Sequence, residues 1–136
     1  MILVDTSVWI NYLNGANTRE CEILDHALED GIAAIGDIIY LEILQGFRHD
    51  KDYKNAKREL SQLDIFELFG QHMVEKCANN YRTLRKKGIT VRSTNDVIIA
   101  TYCIENKLPL LFADKDFLPF VENLKLNSVN KNITPS

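Results

Sequence analysis

Four carboxylates stand where acids are seldom found: Asp5, Glu42, Asp96 and Asp114. Asp5 follows the apolar run Met1-Ile2-Leu3-Val4 and precedes Thr6, Ser7 and the helical-looking stretch from Val8 to Leu13. Asp114 ends Leu110-Leu111-Phe112-Ala113 in the same way. If both runs are strands of one parallel sheet, both acids reach its carboxyl edge, where open α/β sheets bind ligands. Glu42 lies among Ile38, Ile39, Leu41 and Ile43, in a predicted helix that is apolar nearly all round. Such a helix directs a Glu at protein more than at water. Asp96 falls in the first turn of a helix opened by Ser93 or Thr94, and Ile99 and Ala100 at spacings of three and four turn its face inward.

Each acid also has an ordinary job open to it. Asp5 suits a helix N-cap, and Asp96 suits the positive end of a helix dipole. Glu42 could pair with a distant Lys or Arg, at a cost in desolvation. Asp116, just before Phe117, is read as the cap of a short helix, the other reading being a helper acid. The combination argues for more. Like-charged carboxylates within about 4–6 Å raise each other's pKa unless a cation neutralises them. An all-oxygen set suits Mg²⁺ or Mn²⁺. Such ions neutralise phosphate, make bound water more acidic and stabilise a leaving oxygen, so the predicted chemistry is phosphate transfer or hydrolysis. No GxxxxGK[ST] or GxGxxG loop points to a nucleoside triphosphate or dinucleotide, and no Ser-His-Asp or Cys-His arrangement is evident.

The elements that must position these acids alternate. Strands are predicted at Ile2–Val4, Ile32–Ile35, Ile65–Leu68 and Leu110–Ala113, with a last edge strand at Lys125–Val129. Helices are predicted at Thr6–Leu13, Thr18–Glu29, Asp37–Phe47, Asp50–Leu63, Gln71–Lys87, Asn95–Asn106 and Phe117–Val121. This alternation predicts a parallel sheet with helices on both faces, in one domain spanning residues 1–136 with a frayed polar tail at 130–136.

The 136 residues, 46% hydrophobic and 26% charged, fit one ordinary globular domain. A net charge of -3 argues against a basic coat for nucleic acid, though not against an enzyme that grips a polyanion through metal and a local basic patch. Arg82, Arg85, Lys86, Lys87 and Arg92 lead into the Asp96 helix and offer such a patch, with Arg85, Lys86 and Arg92 as the candidate contacts. The group Lys51, Lys54, Lys57 and Arg58 reads as a solvated face. Cys21, Cys77 and Cys103 are odd in number and widely spaced, as reduced core thiols are, which favours a cytoplasmic setting. There is no basic leader, and no apolar run approaches the roughly 20 residues of a membrane span. His26, His49 and His72 are scattered and receive no role.

The segments Val4-Asp5-Thr6-Ser7-Val8-Trp9-Ile10, Tyr40-Leu41-Glu42-Ile43-Leu44-Gln45-Gly46-Phe47, Ser93-Thr94-Asn95-Asp96-Val97-Ile98-Ile99-Ala100 and Leu111-Phe112-Ala113-Asp114-Lys115-Asp116-Phe117, in that order, resemble PIN domains, most of all the VapC toxins of type II toxin–antitoxin pairs. The resemblance implies a three-layer α/β/α sandwich around a parallel sheet. It implies a Mg²⁺- or Mn²⁺-dependent endoribonuclease with Asp5, Glu42, Asp96 and Asp114 as its acidic quartet, Thr6 and Asn95 as supports and Asp116 as an accessory acid. It further implies an RNA substrate, a homodimer and a cognate VapB-type antitoxin. Ala113 departs from the pattern, since many relatives carry Thr or Ser there. Two rival readings remain: a PIN nuclease in housekeeping RNA processing, and a non-catalytic PIN-like binding module.

Overall fold

The structure, a computed structural model, describes residues 1–130 of the chain. Strand β1 (Ile2–Val4) leads into helices α1 (Thr6–Leu13) and α2 (Arg19–Glu29). Strand β2 (Ala33–Gly36) leads into α3 (Asp37–Gln45) and α4 (Asp50–Leu60). Strand β3 (Ile65–Phe66) precedes α5 (Gln71–Lys86) and α6 (Thr94–Glu105). Strand β4 (Leu110–Leu111) is followed by a 3₁₀ turn (Lys115–Phe117) and α7 (Leu118–Leu124).

The strands form one parallel sheet in the order β3-β2-β1-β4. Adjacent residues of a strand face opposite sides of a sheet. Leu3 and Val4, Ala34 and Ile35, and Leu110 and Leu111 are all 0% exposed, so both faces are covered by helices and the architecture is the expected α/β/α sandwich. The chain runs outward from β1 through β2 to β3, then returns to place β4 on the other side of β1. The strand order therefore reverses between β1 and β4, and the crevice at their carboxyl ends is the natural ligand position of such a sheet.

Several elements are shorter than the sequence predicts. The predicted strand Ile32–Ile35 lies one residue later, because the Ile32 N–H donates to Ala27 at the end of α2 instead of to the sheet. The predicted strand Leu110–Ala113 stops at Leu111. Asn130 takes over the backbone of Phe112: its side-chain oxygen accepts from the Phe112 N–H (3.3 Å) and its amide donates to the Phe112 carbonyl (2.7 Å). The predicted edge strand Lys125–Val129 reduces to a single parallel bridge between Leu110 and Ser128, with the Leu110 N–H donating to Asn127. Of the predicted frayed tail, Asn130 is bonded into the fold, and 131–136 lie outside the described residues. Cys21, Cys77 and Cys103 are free and buried, as expected. Among the described residues, no helix is long and apolar enough to cross a membrane.

The turn from β2 into α3 is tightly built. Gly36 sits against buried Leu68, and a Cβ on it would fall 2.3 Å from one Leu68 methyl and 2.6 Å from its branching carbon. The Asp37 carboxylate accepts from its neighbour's N–H on Ile38 (2.7 Å) and from the Leu68 N–H (3.1 Å), tying α3 to the segment after β3. Gly36→Ala is expected to destabilise the protein by about 1–3 kcal/mol through overpacking, measured by urea denaturation. An unchanged midpoint would show that Leu68 moves aside freely.

Candidate metal and phosphodiester site

Asp5 is placed by two local devices. Its backbone is extended after β1, where its N–H donates to Leu111 of β4 (2.9 Å), and its side chain caps α1. Ser7 supplies both donors, its hydroxyl at 2.9 Å and its N–H at 3.3 Å. Asp5 is only 4% exposed, and among the described residues no Lys or Arg pairs with it. Burial raises its pKa from 3.8 to about 6; the Ser7 bonds pull the other way, and the charge of Glu42 adds to the rise.

Glu42 faces the same region from α3. The Thr6 hydroxyl donates to its carboxylate at 2.7 Å, so residues adjacent in sequence, Thr6 and Asp5, reach two elements of the site. The enclosed, all-apolar helix expected around Glu42 is two-sided. Ile39 and Ile43 are buried while Leu41 is 58% exposed, and Glu42 itself is half-buried at the boundary. Its ion-pair alternative does not arise among the described residues.

Asp96 stands in the first turn of α6, where its N–H donates to the Ser93 cap at 3.4 Å. Its pKa rises from 3.8 to about 7, first through burial and then through the charges of Asp5, Asp114, Glu42 and Asp116. Asp96 thus feels all four other acids at once. Carboxylate oxygens of Asp96, Asp114 and Asp116 lie within 4.8 Å of one another. The cap of the 3₁₀ turn is Asp114, which accepts from the Asp116 N–H at 2.9 Å. Asp116 therefore is not the cap that its position before Phe117 suggested, and its carboxylate joins the cluster instead. Asn95 is half-buried beside Asp96, and its side chain makes no hydrogen bond among the described residues.

The basic residues divide. Arg85 lies over the Tyr81 ring, 5.5 Å from its centre, in a groove that reaches Thr94 at the start of α6. Arg92 is exposed just before Ser93. Lys86 is exposed near the end of α5 and does not line the groove.

This geometry fits a hard divalent cation: five acids from four segments, oxygen donors throughout, pKa values raised at Asp5 and Asp96, and no cationic partner for the five among the described residues. Asp5, Glu42, Asp96, Asp114 and Asp116 are the residues that would hold it. A Thr6→Val substitution keeps the side-chain shape and deletes the donor to Glu42. It is expected to lower activity about tenfold with a stability change under about 1 kcal/mol, read by steady-state kinetics beside thermal melting.

A four-stranded parallel sheet with acids gathered at its reversal point defines a class of fold, and comparison with known proteins places the chain within it. The PIN domain family matches residues 2–120, and the chain belongs to that family. It is 30% identical over 119 residues to VapC ribonuclease Mb1587 of Mycobacterium bovis and to ribonuclease VapC11 of Mycobacterium tuberculosis, covering 86% of this chain and 89% of each relative. The fold matches the solved structure of VapBC2 from Rickettsia felis bound to a promoter DNA fragment, with a TM-score of 0.75, 19% identity, and coverage of 94% of this chain and 97% of that one. It also matches a structure of FitAcB from Neisseria gonorrhoeae, with a TM-score of 0.72, 18% identity, and coverage of 98% and 100%.

Proposed function

We infer that this chain is a metal-dependent endoribonuclease acting as the toxin of a type II toxin–antitoxin pair. The observation that carries the reading is the environment of Asp96, which faces four further carboxylates at the switch point of the sheet in a chain related to VapC ribonucleases. Mg²⁺ or Mn²⁺ would be held by Asp5, Glu42, Asp96 and Asp114, with Asp116 completing the set; bound there, it would supply charge neutralisation for the phosphate and a more acidic water. The chain's own residues do the rest. Ser7 fixes the Asp5 carboxylate, and Thr6 fixes that of Glu42. Arg92, exposed just before the helix that presents Asp96, offers charge to the phosphates of the strand. The partners of this reading are an RNA substrate, a small VapB-type antitoxin and a second copy of the chain, and its setting is the cytoplasm.

The test is induced expression followed by sequencing of RNA 5′ ends, alone and beside any small protein encoded next to it, with Asp96→Asn as control. New ends and growth arrest that disappear in the control and with the neighbour support the toxin. New ends without arrest would favour an RNA-processing nuclease. No new ends in the wild type, although the protein is soluble and folded, would overturn the enzymatic reading.

A further inference from the structure

A groove of about 480 Å³ runs between α5 and α6. Phe69 and Val74 line it and are 42% and 47% exposed, a large apolar outlay for a surface. Tyr81 forms part of its wall with Arg85 stacked on the ring, and Arg82 stands one position further along the helix. Thr94, Val97 and Ile98 form the other wall, so the groove ends on the same turn of α6 that presents Asp96. No carboxylate lines it, and among the described residues neither Arg82 nor Arg85 forms an ion pair. The groove over α2 carries Glu22 and Asp30 and the one by α4 carries Asp52 and Glu59, while the one between α1 and α3 has no carboxylate but no cation either.

We propose that this groove is a base-stacking platform, in which Tyr81 and Arg85 hold an unpaired nucleobase of the substrate strand while Arg82 meets its phosphate. The inference rests on the ribonuclease reading and adds where the strand lies and which residues grip it. Aromatic faces and guanidinium planes are the usual seats for a splayed base, and they accept any base because every base has a π-face. Arg82 and Arg85, without ion pairs among the described residues, stand beside apolar walls and suit a base with its phosphate better than a neutral apolar partner. An α-helix is about 10–12 Å across, so a base held on the α5 side of α6 leaves the strand a short step from the acids on its other side.

The test uses the full chain and a fluorescein-labelled single-stranded RNA 12-mer, in two arms. In the binding arm the 12-mer is 2′-O-methylated against cleavage, and affinity is read by anisotropy in Mg²⁺ across a salt series. In the cleavage arm the unmodified 12-mer is followed with Mn²⁺. Tyr81→Leu and Arg85→Gln are each expected to weaken binding about tenfold, and Arg82→Gln to lower the salt slope by about one. One abasic position in the RNA should erase the difference between wild type and Tyr81→Leu. Binding that responds to these variants without any cleavage keeps the platform and sinks the ribonuclease reading. Wild-type affinity in Arg85→Gln, an exposed position that leaves the fold intact, overturns the platform. So does a change in mass by light scattering with RNA affinity unmoved, which would make the groove a contact between copies of the chain.

Discussion

Asp96→Asn is expected to abolish RNA cleavage, by on the order of 10³-fold or more, and at the same time to make the metal-free protein more stable at pH 8. The two effects have one cause. Asp96 is the acid that experiences Asp5, Glu42, Asp114 and Asp116 together, so it is central to any cation and most strained without one. Asn keeps the shape and the inward position while removing a charge that burial, and then the neighbouring acids, make costly. A shift from 3.8 to about 7 corresponds to roughly 4 kcal/mol if fully realised; the side chain is half-buried, so solvent screening brings the expected gain to about 1–2 kcal/mol. Melting curves in EDTA and single-turnover cleavage in Mn²⁺ read the two halves. A mutant that still cleaves removes Asp96 from the site, and one that melts lower than wild type removes the repulsion.

The second large effect is a pH dependence with an unusual sign. The pKa values of Asp5 and Asp96 rise to about 6 and about 7 on folding, so the folded protein holds these protons more tightly than the unfolded chain does. Their stabilising contribution is complete below about pH 4 and is lost as pH climbs through 6 and 7, opposite to a carboxylate held in a salt bridge. Other acids titrate too, so the clean quantity is the stability difference between Asp96→Asn and wild type. It should be near zero below pH 4 and reach its full value above pH 7. Adding Mg²⁺ or Mn²⁺ at pH 7.5 should then raise the wild-type melting point, by about 2.7 kcal/mol of stability at a hundredfold excess over Kd, and leave Asp96→Asn far less affected. A difference that is flat with pH, or a metal response equal in both proteins, would refute the linkage.

Much of the site is legible in the sequence for a local reason. Asp5 and Asp114 each follow an apolar run, and a parallel pairing of those runs must bring their ends together; the pairing of Val4 with Leu111 does so. Asp96 is legible because the first turn of a helix fixes direction within a few residues. What stayed hidden depends on contacts between distant segments. Nothing near Asp37 announces that it accepts from Leu68, 31 positions on. The Thr6–Glu42 bond spans 36 positions and fixes the orientation of an acid that the helix pattern placed only by side. The frequency of Asp caps favours Asp116, but a cap is decided by which carboxylate the turn's N–H meets, and the chain path gives the Asp116 N–H to Asp114. A run of apolar residues signals burial whether or not its amides join a ladder, so the sequence overstates strand length; at the end of β4 the Asp5 carbonyl turns to the Val8 and Trp9 N–H groups of α1, and the Asn130 side chain bonds Phe112.

That side chain has a wider consequence. Parallel sheets end in rows of free amides and carbonyls that welcome a strand from another molecule. By occupying both polar groups of Phe112, Asn130 closes β4 against such recruitment with an amide that resembles a peptide bond but cannot propagate one. The same plug anchors the backbone two residues ahead of Asp114. Cover for a sheet edge and the path of the chain into an acid thus share one hydrogen-bonded residue.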